Sequence, residues 1–188
     1  MEEVTEQSKD LLRFRSSLSE NWNEPLLPYR DKAMPRDMSF LTAANCSMRK
    51  SVWDSIGGLD ENLNDAEDYD MATRASRIGI PMYFNVDAFA WHDDPVTCAS
   101  YIRRLRQYAA AQQKLQKLKP ELYTATHKFA IRKPTGMKAI FFKMFCFPFW
   151  IKSIDKDFWT FLPTSQRFKL YDWVVTSNGS FYPEKVGL

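Results

Sequence analysis

Between Asp60 and Asp70 the chain places six carboxylates, Asp60, Glu61, Asp65, Glu67, Asp68 and Asp70, with no Lys or Arg among them. Acids this close repel one another, so such a cluster points to solvent, a cation or acid/base chemistry. The residues on either side constrain how the backbone can present it. Gly57-Gly58 predicts a left-handed stop for a helix over Lys50–Ile56, and Asp65 is a fair N-cap for a second helix from about Ala66 to Ile78. Tyr69, Ala72, Ala75 and Ile78, with Met71 nearby, form the apolar stripe of that second helix. Glu67, Asp68 and Asp70 then fall in its first turns, where the positive end of the helix dipole favours anions, so their position alone requires no catalytic task. Gly79 ends the helix and Pro81 prevents its continuation.

Upstream, residues 2–20 permit a short amphipathic helix around Leu11, Leu12, Phe14 and Leu18, and residues 21–38 read as an irregular proline-bearing loop. Phe40-Leu41-Thr42 predicts a short strand before the small-residue run Ala43-Ala44-Asn45-Cys46-Ser47. Downstream, Met82–Val86 and Ala88–Trp91 predict two short strands around a turn, leading to His92, one of two histidines. A lone histidine at a strand end is more often structural, although its place in a polar loop favours function. Thr97 is a good N-cap for a long helix to about Lys119, stopped by Pro120.

Charge is unevenly spread. Residues 1–98 carry 10 Lys/Arg against 18 Asp/Glu, a balance of −8, whereas residues 99–188 carry 16 against 5, a balance of +11. The basic half shows no recognisable nucleic-acid motif, so an anionic membrane surface is the better expected partner. Cys46, Cys98 and Cys146 have no ligand spacing and read as reduced thiols in a cytosolic setting. The acidic, polar start excludes a secretory signal, and no run of 18 apolar residues predicts a transmembrane helix.

The ordered set Ala-Ala-Asn45, a short basic helix, Ile-Gly-Gly-Leu-Asp-Glu, Glu67-Asp68-x-Asp70, Arg74, Gly79 and a strand ending in His92 resembles the C-terminal half of the catalytic domain of family-2 glycosyltransferases. The match runs over residues 38–120. It implies an α/β chain, a partial GT-A fold holding the acceptor-side half, and inverting transfer from a nucleotide-diphospho-sugar to a glycan or lipid-linked acceptor. In that chemistry a base takes the acceptor hydroxyl's proton as the oxygen attacks the anomeric carbon. The resemblance assigns the base to Asp68, with Glu67 orienting it or touching the acceptor. It further implies a divalent cation, Mn or Mg, offsetting charge on the leaving diphosphate, with His92 as its imidazole ligand. Asn45, Asp70 and Arg103 are its candidate substrate contacts. Asn45 reads equally well as a turn residue capping the next helix. Arg74 is placed to pair with Asp70 at i, i+4. The pattern departs from the family before Asn45, where no donor-binding strands and no Asp-x-Asp metal motif occur. Asp68-Tyr69-Asp70 fits that expression but lies in the helix at the base position. The donor site is therefore expected from an N-terminal half or a partner chain.

Three regions follow: an irregular or helical lead-in over 1–37, the acceptor-side half over 38–120, and a basic aromatic helical region over 121–188. In the last, residues 137–151 are the most apolar stretch, and Lys138, Lys143, Lys152 and Lys156 flank their aromatic side chains. The stretch is too short to span a bilayer and suits either an interfacial element or a buried core helix. Arg103-Arg104-Arg106 could approach phosphates of lipid or donor, or form a solvated helix face. Residues 163–177 resemble the family's closing amphipathic helix, and the tail FYPEKVGL reads as a loose end. The expected location is cytoplasmic, peripheral at the inner face of the cell membrane.

Overall fold

A computed structural model describes residues 4–5, 8–38, 40–88, 90–91, 95–123 and 132–187. His92 and His127 lie outside the described residues. In chain order the helices are α1 (Asp10–Asn23), a 3-10 turn (Glu24–Tyr29), α2 (Lys50–Ile56), α3 (Glu67–Arg77), α4 (Cys98–Leu118), α5 (Pro120–Tyr123), α6 (Gly136–Lys143), α7 (Pro148–Asp155) and α8 (Thr164–Thr176), followed by a π turn at Ser177–Phe181. None among the described residues is long and apolar enough to cross a membrane.

This architecture corrects the expected α/β class. Of the described residues 57% are helical, and they contain no sheet, so the partial GT-A fold is not what this chain forms. Among the described residues of the predicted strands Met82–Val86 and Ala88–Trp91 there is one antiparallel bridge, Ala33 with Tyr83, beside which Met34 N–H donates to Met82 C=O at 2.8 Å. The physical reason is local. Pro35 follows Met34 and has no N–H with which to extend a ladder, and Asn85 folds the other segment into a side-chain-capped turn, its Oδ1 accepting from Asp87 N–H at 3.0 Å. Period-2 patterning without a neighbouring strand leaves backbone groups unpaired, so no sheet nucleates. Phe40-Leu41-Thr42 is likewise not a strand and runs into a turn at Ala43.

Helix boundaries follow their punctuation closely. Gly57 (φ 75°) and Gly58 (φ 65°) close α2 with paired bonds, Gly57 N–H to Asp54 C=O and Gly58 N–H to Trp53 C=O. Gly79 (φ 82°) and Ile80 repeat the device after α3, bonding to Ser76 and Ala75. Thr97 and Ser100 exchange side-chain and backbone bonds at 3.0 Å, a reciprocal box that starts α4. The predicted cap at Asp65 is displaced by one residue: Ala66 occupies the cap position without a side-chain bond, and Asp65 is left-handed at φ 67°. A Cβ at Gly58 would sit 2.9 Å from the Trp53 indole. Gly58→Ala is therefore expected to cost about 1–3 kcal/mol through a left-handed alanine and that overlap, read as a lowered melting temperature.

Contacts divide the chain into two units, one drawn from residues 20–91 with 111–127, the other from 2–19 with 92–110 and 128–188. The first unit buries Met71, Ala72 and Ala75 of α3 with Ile56 and Met82, and packs Leu63 and Ala66 on Leu115 and Tyr123. Ile78, counted in the predicted stripe, is exposed because α3 has already ended. The second unit packs Leu11 and Phe14 of α1 on Tyr171 and Val174 of α8, with Ile102 and Ile154 completing the centre. The tail is not loose: Val186 is buried, and Arg106 donates to its carbonyl at 3.0 Å.

Candidate functional site

Asp68 opens the first turn of α3, half-buried. Its Oδ1 accepts the Tyr69 N–H at 2.7 Å and its Oδ2 the Ala43 N–H at 3.1 Å. The second bond joins α3 to the small-residue turn, where Asn45 N–H donates to Thr42 C=O and Asn45 Nδ2 donates to Ala88 C=O at 3.0 Å. Alanine at 43 lets that backbone approach the carboxylate. The structure thus brings Asp68 and the exposed Asn45 into one local assembly. Asn45 holds a loop here and does not cap α2, whose cap position is Arg49. Each Asp68 oxygen takes one of these bonds and keeps lone-pair capacity, and Asp68 forms no ion pair among the described residues. Glu67, its neighbour, has Oε2 buried with no hydrogen-bond partner. A buried acceptor left unpaired is costly to stability.

Asp70 is different in kind. It is fully buried, and three donors close on it: Arg74 Nε at 2.8 Å, Lys119 Nζ at 2.8 Å and the Tyr123 hydroxyl at 2.9 Å. The Arg74 pairing is the i, i+4 contact that the sequence predicts. The same guanidinium donates to Ile56 C=O and, at 2.6 Å, to Gly58 C=O, so it also secures the end of α2. These bonds tie Asp70 into the framework of the first unit. Burial, with Asp70 alongside, pushes the Tyr123 hydroxyl up and keeps it a donor.

Lys119 extends the network to Asp60 Oδ2 at 2.7 Å. That ammonium, together with the backbone and side-chain amides of Asn62, holds the Asp60 carboxyl well below the usual carboxylate range. Beside them lies an open cleft of about 430 Å³, lined by Gly57, Leu59, Asp60, Asn62, Arg74 and Lys119 among others. Neither Asp68 nor Glu67 lines it.

Arg103 lies exposed on α4 in the second unit, with Arg104 over the Tyr108 ring at 4.4 Å. Arg106 leaves the basic cluster altogether and donates to Asn178 and Val186 carbonyls. Among the described residues no three His, Cys, Asp or Glu side chains converge as cation ligands, and His92 lies outside those residues. Sequence reasoning missed Lys119 and Tyr123, which reach Asp70 across 49 and 53 positions; the only local signal was a helix end before Pro120. In comparisons with known proteins, no family model, no curated protein and no solved structure matches this chain.

Proposed function

We propose that the chain supplies the acceptor-activating carboxylates for an inverting glycosyl transfer from a nucleotide-diphospho-sugar to a glycan or lipid-linked acceptor. One observation carries the reading: Asp68 is half-buried, forms no ion pair among the described residues and is pinned by the Ala43 amide in the turn that also holds Asn45. In the proposed step, Asp68 takes the proton of the acceptor hydroxyl as its oxygen attacks the anomeric carbon, and the diphosphate leaves from the opposite face. Glu67 stands beside it in the first turn of α3 as the carboxylate that orients it or touches the acceptor. The donor is held by an N-terminal half or a partner chain. A divalent cation would offset charge on the leaving diphosphate, and His92 is this chain's candidate ligand for it. The proposed location is cytoplasmic and peripheral, at the inner membrane face.

The test is Asp68→Asn in cells that depend on this chain for transfer. Transfer should fall about 10²-fold or more while the melting temperature stays near that of the parent. Unchanged transfer would give Asp68 the purely structural task of anchoring Ala43. A second reading, a non-catalytic module that docks on a membrane, is favoured by the exposed rings of Phe147, Phe149, Phe158 and Phe161.

A further inference from the structure

In the second unit, α6, α7 and the turn after them leave large apolar side chains in solvent. Met137 is 82% exposed, Phe161 69%, Phe147 60%, Phe149 58% and Phe158 57%. The rings of Phe149, Phe158 and Phe161 join through Trp159. Phe149 and Phe158 both meet Trp159, at 6.5 and 5.1 Å between centroids, Phe158 meets Phe161 at 6.1 Å, and Trp159 stacks on Trp150 at 5.4 Å. A patch of this kind marks an interaction surface.

Charge selects the occupant. Lys138, Lys143, Lys152 and Lys156 stand exposed among these residues. The two acids of the same stretch, Asp155 and Asp157, are turned to the Cys98 and Asp10 N–H groups, and the four lysines outnumber them. A second copy docked about a two-fold axis would set lysines against lysines, whereas an anionic surface would complement them. The polar handles of the aromatics are satisfied as well. Trp150 Nε1 donates to Met144 C=O at 2.8 Å and Trp159 Nε1 to Ser153 Oγ at 2.7 Å. The indoles can therefore enter a headgroup region without losing a partner for either N–H. With eight residues each, α6 and α7 are about 12 Å long and can lie on a bilayer but not cross it.

We infer that the aromatic–lysine surface of residues 136–161 seats the chain on an anionic lipid bilayer, rings in the interface and ammonium groups on lipid phosphates. This rests on the peripheral placement proposed above and not on the transferase chemistry. The experiment is sedimentation of the full chain with vesicles of phosphatidylcholine alone and of phosphatidylcholine with phosphatidylglycerol, across a salt series. Binding is expected to the anionic vesicles and to weaken steeply with salt. Lys143→Glu, Lys152→Glu and Lys156→Glu together should lower it about 10²-fold or more. Phe149→Ser, Phe158→Ser and Phe161→Ser should weaken binding with the salt dependence retained, and circular dichroism should report an intact fold because all three are exposed. Asp68→Asn should leave vesicle binding unchanged, so the two proposals fail separately. Absence of anionic-vesicle binding, or binding indifferent to both variant sets, would overturn the inference. So would a dimer that ignores vesicles and dissociates on the Phe substitutions, which would make a second copy the occupant.

Discussion

Asp70→Ala is expected to lower stability by about 3–5 kcal/mol, enough to unfold most of a marginal protein. The carboxylate has no access to solvent, and its three donors come from α3, the end of α4 and α5. Removing it leaves Lys119 leaning on Asp60 and takes from the Tyr123 hydroxyl the carboxylate it donates to. Arg74 keeps its two carbonyl bonds at the end of α2 but loses the anion that orients it. The desolvated partners, more than the lost Coulomb attraction, set the magnitude. Urea unfolding measures it, and Tyr123→Phe is the internal scale: that change removes one neutral donor and should cost about 1 kcal/mol. If Asp70→Ala unfolded no more easily than Tyr123→Phe, the network would be an ornament on a helix packed by Met71, Ala72 and Ala75.

The second unit contains a parallel case. Asp10 is 6% exposed and is held by Arg167 through two bonds, Nε to Oδ2 at 2.7 Å and Nη2 to Oδ1 at 2.9 Å, with the Tyr171 hydroxyl at 2.8 Å. The Asp10 carboxylate beside it pushes the Arg167 guanidinium up, and burial with the same carboxylate pushes up the Tyr171 hydroxyl. Asp10→Ala should cost about 3–5 kcal/mol and release α1 from α8. Limited proteolysis should then cut within residues 10–23 well before the parent chain is cut. Because the pair is buried, added salt should change the parent's stability little. A parent already susceptible at α1, or a variant as resistant as the parent, would show that Leu11 and Phe14 hold that helix without the ion pair.

Neither network could be read in advance, and the reason is separation. Asp70 meets Arg74 at four positions, a distance that helical geometry makes visible, but Lys119 and Tyr123 become neighbours only when α4 and α5 fold back. Asp10 sits in a weak amphipathic pattern, and its partners are 157 and 161 residues away. The candidate base shows the same split. Asp68 in a first helical turn was readable, whereas the bond from the Ala43 amide that ties it to the Asn45 turn spans 25 positions.

The linear pattern alone determined several helix ends, because glycine, proline and capping hydroxyls act on backbone within one turn. Lys50–Ile56, the Gly57, Gly58 and Gly79 stops and the Thr97 start all came out as their local chemistry dictates. Alternation in Met82–Trp91 carried no such authority, since a strand exists only where another strand supplies its hydrogen bonds, and Pro35 withholds them. Burial of Asp70 and Asp10, the anchored tail at Val186 and the exposure of the Phe147–Phe161 rings were decided by tertiary packing. Whether a side chain meets solvent or a distant partner depends on which surfaces come together, and no residue's immediate neighbours in the chain specify that.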